Sequence, residues 1–254
     1  MRLIRTCVAL LGCALGGCAT VNHMAFDKNA SSVDVSKKAV VLVAIEVKRS
    51  DDSRFQPVPF VVNVEKPNAQ NKQDRQNFKV DKNEDAFVSE DGRTLFLTRM
   101  ALEPGQYQLV AVTGFARAFP ISAIFQVPLV TDFNLQPGSI TYLGRVSASL
   151  RARKSGEFRA GPLLPLIDQS VAGMSTSTWD VTIENRADVD VPLYHKTFKA
   201  LTSVSIATAP LPPFDRAAAQ RWWDHDSAQE KEKNNPAEAA APASSEAPSG
   251  GAQP

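Results

Sequence analysis

The run LQPGSITYLGRVSASLR, Leu135 to Arg151, sets a turn and a strand back to back. Pro137 fixes φ near about −65° at the second position of a β-turn, and Gly138 at the third accepts the positive φ that a type II turn requires. Beyond the turn, Ile140, Tyr142, Gly144, Val146, Ala148 and Leu150 alternate with Ser139, Thr141, Arg145, Ser147, Ser149 and Arg151. Leu143 is the one apolar side chain on the polar side. Alternation of this length marks a half-buried strand. The same turn occurs earlier as Leu102-Glu103-Pro104-Gly105-Gln106-Tyr107, and it opens a strand in which Tyr107, Leu109 and Ala111 share a face.

Working outward, the same period of two recurs. Val41, Val43, Ile45 and Val47 form one strand face, with Glu46 and Lys48 opposite; Phe60, Val62 and Val64 form another. Residues 67–85 are charged and amide-rich and read as a long exposed connection, with a short strand around Phe78 and Val80. Glu90-Asp91-Gly92 is a turn signal before Leu95, Phe96 and Leu97. Ile121, Ala123, Phe125 and Val127 alternate, and Pro128 after them predicts a bulge or an edge position. Trp179, Val181 and Ile183 make a late strand. A helix follows, with Asp190 as its cap, Pro192 in its first turn and a stripe of Val191, Tyr194, Phe198 and Leu201. These elements predict a mainly β chain over 39–205: an antiparallel β-sandwich of immunoglobulin- or transthyretin-like type with one packed C-terminal helix. Residues 206–228 read as a linker and a short amphipathic helix from Asp215 through Trp222-Trp223. Residues 229–254, rich in Ala, Pro, Glu, Ser and Gly, read as a disordered tail.

The N-terminus carries the address. Arg2 and Arg5 precede a short apolar stretch, and Leu15-Gly16-Gly17 lead directly to Cys18. That is the layout of an export signal, and its apolar part is too short to span a bilayer of about 30 Å. The tetrapeptide resembles the lipobox of bacterial lipoproteins. The resemblance implies a signal peptide at 1–17, cleavage before Cys18, and a covalent diacylglycerol and N-acyl chain on Cys18. Residues 18–38 then read as a flexible lipidated tether. Ala19, where aspartate marks inner-membrane retention in related lipoproteins, implies the outer membrane and a periplasm-facing domain. Cys7 and Cys13 leave with the signal, so an exported domain is held by its core without a disulfide.

Charge narrows the partners. The chain has 28 Lys and Arg against 27 Asp and Glu, and loss of Arg2 and Arg5 shifts the formal charge from +1 to −1. Such a balance offers no electrostatic footprint for nucleic acid. Stable attachment then depends on two or more acyl chains. The phrases LEPGQYQLVAV, FQV and LQPGSITYLGRV resemble small β-sandwich modules of bacterial envelope lipoproteins, over residues 95–205. Those motifs are structural and bring no catalytic residue with them.

Candidate chemistry is sparse. Asp81, Asn83 and Asp85 begin like a calcium loop, but Ala86 and Gly92 stand where a glycine and a glutamate are needed. Asp224, His225 and Asp226 point about 100° apart on a helix and do not converge. His195 has no nucleophile elbow to serve. No metal, no cofactor beyond the acyl chains and no enzymatic activity is expected. Two surfaces remain. Trp222 and Trp223 make either a docking surface or a packing contact in which Trp222 is buried. Arg145 and Arg151, with Arg153, Lys154 and Arg159, make either a basic strip for a glycan or a solvated sheet face. The expected function is that of a non-catalytic accessory or protein-interaction module, with glycan or peptidoglycan binding as the alternative.

Overall fold

The computed structural model describes residues 20–49, 54–88, 94–162 and 173–234. The signal segment with Cys18, the Glu90-Asp91-Gly92 turn, and the tail from 235 lie outside them. In chain order the elements are β1 (Thr20–Asn22), β2 (Ala39–Lys48), β3 (Gln56–Glu65), β4 (Arg75–Lys79), the one-turn helix α1 (Lys82–Asp85), β5 (Ala86–Val88) and β6 (Thr94–Leu102). Then come β7 (Gly105–Ala118), β8 (Ile121–Leu135), β9 (Ile140–Ala152), β10 (Ser177–Glu184), α2 (Ala187–Thr197), β11 (Ala207–Thr208) and α3 (Arg216–Asn234). Among the described residues no helix is long and apolar enough to cross a membrane.

The strands form two sheets, ordered β1-β4-β3-β7-β8 and β10-β9-β2-β6-β5, with β11 beside β9. One core joins their inner faces: Val62, Val64, Phe78 and Phe125 from the first meet Val41, Val43, Phe96 and Trp179 from the second. Trp179 is fully buried, edge-on to Phe125, and its indole N–H donates to Ala160 O at 3.0 Å.

Both Pro-Gly turns are points where the chain changes sheet. β6 lies in the second sheet and β7 in the first, with Glu103-Pro104 between them; β8 lies in the first and β9 in the second, with Gln136–Ser139 between them. Gly138 has φ +66°, as the type II turn asks, and Gly105 has φ +141°, positive but more extended because it already begins β7. The second corner returns the chain beside the start of β2: Val40 N donates to Ser139 O at 2.9 Å and Val40 pairs with Ile140. β9 therefore runs parallel to β2. The parallel pairs β2–β9, β1–β4 and β11–β9 make both sheets mixed rather than antiparallel throughout.

A bulge decides which face each β9 side chain occupies. Leu42 pairs with Tyr142 but Ala44 pairs with Arg145, so one extra residue of β9 is accommodated between them. Gly144 sits there with φ +121°, and a Cβ on it would lie 2.9 Å from Glu184 O. The alternation changes phase at this point. Ile140 and Tyr142 face α2, whereas Leu143, Val146, Ala148 and Leu150 face the other sheet. Leu143, the apparent misfit, is a core residue. Pro128 behaves as expected: it lies in edge strand β8, beside a bulge where the register jumps between Leu109 and Ala111.

Four further expectations change. The segment 20–38 is not a free tether: Phe26 is buried, Ala25, Val33 and Val35 pack on the outer face of the second sheet, and Ala25 N donates to Arg99 O at 2.7 Å. Residues 67–85 contain the expected short strand, β4, but are not simply exposed, because Phe78, Val80 and Asp85 are buried. The helix begins at Ala187, so Asp190 falls inside it, fully buried, and caps nothing. At the other end, α3 is N-capped by Asp215, whose Oδ1 accepts from Ala218 N at 3.0 Å, and it continues to Asn234, past the expected start of the tail at 229.

Candidate functional site

The polar face of β9 is continued by its neighbours. Register places Ser147 between Glu46 of β2 and Thr182 of β10, Ser149 between Lys48 and Asp180, and Arg145 beside Glu184. Period two points these side chains to the outer face of the second sheet. With Arg186, they line a polar depression of about 330 Å³. Where α2 covers the sheet the face is apolar, and where the helix starts the depression begins.

Glu46 is the distinctive group in it. It is 4% exposed, although it stands on an outer sheet face. Its Oε2 accepts from Ser147 Oγ at 3.2 Å and lies 3.3 Å from Lys48 Nζ. Its Oε1 is buried, and among the described residues no group donates to it. A buried carboxylate oxygen without a donor is costly, which makes this atom the natural receiver for a ligand hydroxyl or amine. The remaining charges are matched: Asp180 lies 3.2 Å from Arg216 and 3.4 Å from Arg151, and Glu184 lies 3.9 Å from Arg186. The depression therefore suits a neutral or zwitterionic polar molecule better than a strongly anionic one.

The two arginines singled out from the sequence share a strand face but not an environment. Arg145 is buried against Asp190, pairing through Nη2 with Oδ1 and through Nε with Oδ2 at 3.2 Å. Tyr142 donates its hydroxyl to the same Asp190 carboxylate. Burial, then the Asp190 hydrogen bond, hold the Tyr142 phenol far above the usual tyrosine range. Arg151 lies nearer the surface and grips Glu157 with two hydrogen bonds of 2.6 and 2.8 Å. That hydrogen bond, with a second from Lys154 N–H, lowers Glu157 to about 2. Arg153 donates to Glu157 O at 2.9 Å. Arg145, Arg151 and Arg153 are thus engaged within the protein rather than presented as a basic strip.

The tryptophans also separate. Trp223 is 9% exposed and packs on Phe158 with ring centroids 6.2 Å apart, while Trp222 is half-buried and meets Trp223 edge-on. Trp223, not Trp222, anchors α3, and Trp222 is the one left partly accessible. Elsewhere, Asp81 caps α1 by accepting from Asn83 N, and Asp85 is buried with Oδ1 2.8 Å from Arg99 Nη2. Burial raises the Asp85 carboxyl above its ordinary value, against the opposing charge and hydrogen bond of Arg99. His195 Nδ1 meets Leu201 O at 2.6 Å. Among the described residues no three His, Cys, Asp or Glu side chains are grouped to hold a metal.

Glu46, Asp190 and the Asp85–Arg99 pair escaped the sequence reading. Glu46 left one signal, a lone carboxylate inside the apolar run AVVLVAIEV. Asp190 and Asp85 left none, because an acid near a helix start and an acid in a polar connection both read as solvated.

No family model matches the chain, and no curated protein is significantly similar to it. Among solved structures, a leucine-rich repeat protein from Bacteroides thetaiotaomicron VPI-5482 aligns at 15% identity and a TM-score of 0.26. The match covers 44% of this chain and 14% of that one, and a likeness of this size carries no argument about fold or function.

Proposed function

We propose that the chain is a lipid-anchored, non-catalytic interaction module of the bacterial envelope, a β-sandwich held at the outer membrane and facing the periplasm. The observation that carries this reading is Leu15-Gly16-Gly17-Cys18, followed within two residues by the first strand of the folded domain. The sandwich assignment, in its immunoglobulin- or transthyretin-like form, is supported by two sheets sharing one core and by two corners that cross between them. Its partners are membrane lipid through Cys18 and an envelope protein. Mass spectrometry of the membrane fraction tests the anchor: the mature N-terminal peptide begins at an acylated Cys18, and Cys18→Ala leaves unprocessed precursor. A Cys18→Ala protein cleaved normally and released soluble overturns the reading. In-cell crosslinking of the anchored protein then identifies the partner, with Cys18→Ala as control.

The unpaired Oε1 of Glu46 favours a second reading, recognition of a glycan or peptidoglycan fragment in the depression. The test is co-sedimentation of the full chain with purified sacculi. Wild type sediments with them and Glu46→Ala does not under this reading; equal sedimentation of both overturns it. Charge reversal at Arg145 is the wrong probe, because it breaks the buried pair with Asp190 and so reports on folding.

A further inference from the structure

The first strand converts an anchor into an orientation. β1 lies along β4 with Thr20 opposite Gln76, and Thr20 Oγ donates to Lys72 O at 3.2 Å. Cys18 precedes Thr20 by two residues, so their Cα atoms are at most ~7 Å apart. The row through Thr20 continues across the sheet as Gln76, Val64 and Leu109. This is the end where both Pro-Gly corners lie and where β2 starts beside Leu102. Lys37, Lys38 and Lys72 are exposed there, and Val21 in β1 itself is 70% exposed. From Leu109, β7 runs away to the β7–β8 hairpin tip, where Phe119 is 98% exposed. Ten residues at ~3.3 Å each place that tip roughly 30 Å from the row of Thr20.

We propose that the end of the molecule bearing β1 and the two Pro-Gly corners is a bilayer-facing surface, seated on phospholipid headgroups, with the β7–β8 hairpin pointing away from the membrane. The proposal rests on acylation of Cys18. A flexible linker of twenty residues would hold the domain about 25 Å from the lipid on average and leave it free to tumble. A two-residue link to a hydrogen-bonded strand does neither. Lysines reach a headgroup layer with their charges while their stems lie along it, and Val21 offers a small apolar contact at the same level. The distal tip then presents Phe119, with Phe60 and Phe115 in edge contact behind it and Arg117 over the Phe115 ring, to whatever lies beyond the membrane.

The test uses the full, acylated protein purified from a bacterial host and reconstituted into phosphatidylethanolamine–phosphatidylglycerol vesicles carrying a headgroup-level spin-labelled lipid. Gln73→Cys and Phe119→Cys each take one fluorophore, since Cys18 is blocked by its acyl chains. Both substituted sites are exposed, so neither change disturbs the core. The expected result is at least twofold stronger quenching at position 73 than at 119, lost when a twenty-residue Gly-Ser linker is inserted after Cys18. Equal quenching at the two positions in protein that floats with the vesicles overturns the orientation alone. Protein that carries no acyl chains and does not float overturns the anchor, and the orientation with it.

Discussion

Arg145 and Arg151 stand on one strand, six residues apart and on one face, yet they are different kinds of residue. The start of α2 closes over Arg145 and buries it with Asp190, a carboxylate that is 0% exposed. Arg151, its side chain 32% exposed, binds Glu157 and Asp180 where solvent still reaches. The pairings look alike on paper, each an arginine forked onto a carboxylate. What separates them is the water removed. Burying both ions incurs a desolvation penalty that the pair itself must offset, so losing one partner strands the other. At the surface, water replaces whichever partner leaves.

The largest effect tests the buried side. Arg145→Ala leaves Asp190 enclosed without its paired cation, and the expected loss is about 3–5 kcal/mol in equilibrium denaturation. Replacing the group together, as Arg145→Met with Asp190→Leu and Tyr142→Phe, is expected to recover most of that loss. A single-variant loss under about 1 kcal/mol would erase the distinction between the two sites. Tyr142→Phe alone comes next. It removes a donor to a buried carboxylate while leaving the ring packed against Tyr194, and about 1.5–3 kcal/mol is expected. A loss equal to that of Arg145→Ala would mean that the phenol, not the guanidinium, holds Asp190 in place.

How far these environments are legible in sequence follows from range. Strands and turns are local patterns, and Val41–Val47 and Ile121–Val127 read correctly; the helical stripe holds only in part, because α2 ends at Thr197, Phe198 is extended and Leu201 lies in a following 3-10 turn. Both Pro-Gly turns were visible too, although their role as crossings between sheets was not. The bulge at Gly144 hid a phase change inside what looked like one continuous alternation, so Leu143 seemed misplaced and Arg145 seemed solvated. Segment 20–38 has no periodicity, since it packs through scattered residues such as Phe26 and Val35 onto a face completed by distant strands. The burial of Asp85, Asp190 and Glu46 depends on partners 14 to 101 residues away. A pattern confined to near neighbours carries at most a lone mark of such contacts, as Glu46 does inside its apolar run. The depression and the two arginines share one face of the second sheet, but the buried carboxylate at its centre is Glu46, on the neighbouring strand β2.

The smallest effect tests the surface side, and pH gives it a signature that magnitude cannot. Glu157 is lowered to about 2 first by its hydrogen bond to Arg151. A carboxyl whose folded pKa lies below its unfolded value stabilises the fold above the unfolded pKa and stops doing so as pH falls through the folded one. Arg151→Ala is therefore expected to cost within about 1 kcal/mol at neutral pH, a difference reduced at high salt. Between the ordinary glutamate range and about pH 2, the wild-type advantage should shrink to nothing as Glu157 protonates. Denaturation midpoints of Arg151→Ala against wild type, taken at neutral pH and near pH 2, read this out directly. A wild-type advantage that persists undiminished near pH 2 would mean that Arg151 stabilises the fold through packing rather than through the Glu157 carboxylate.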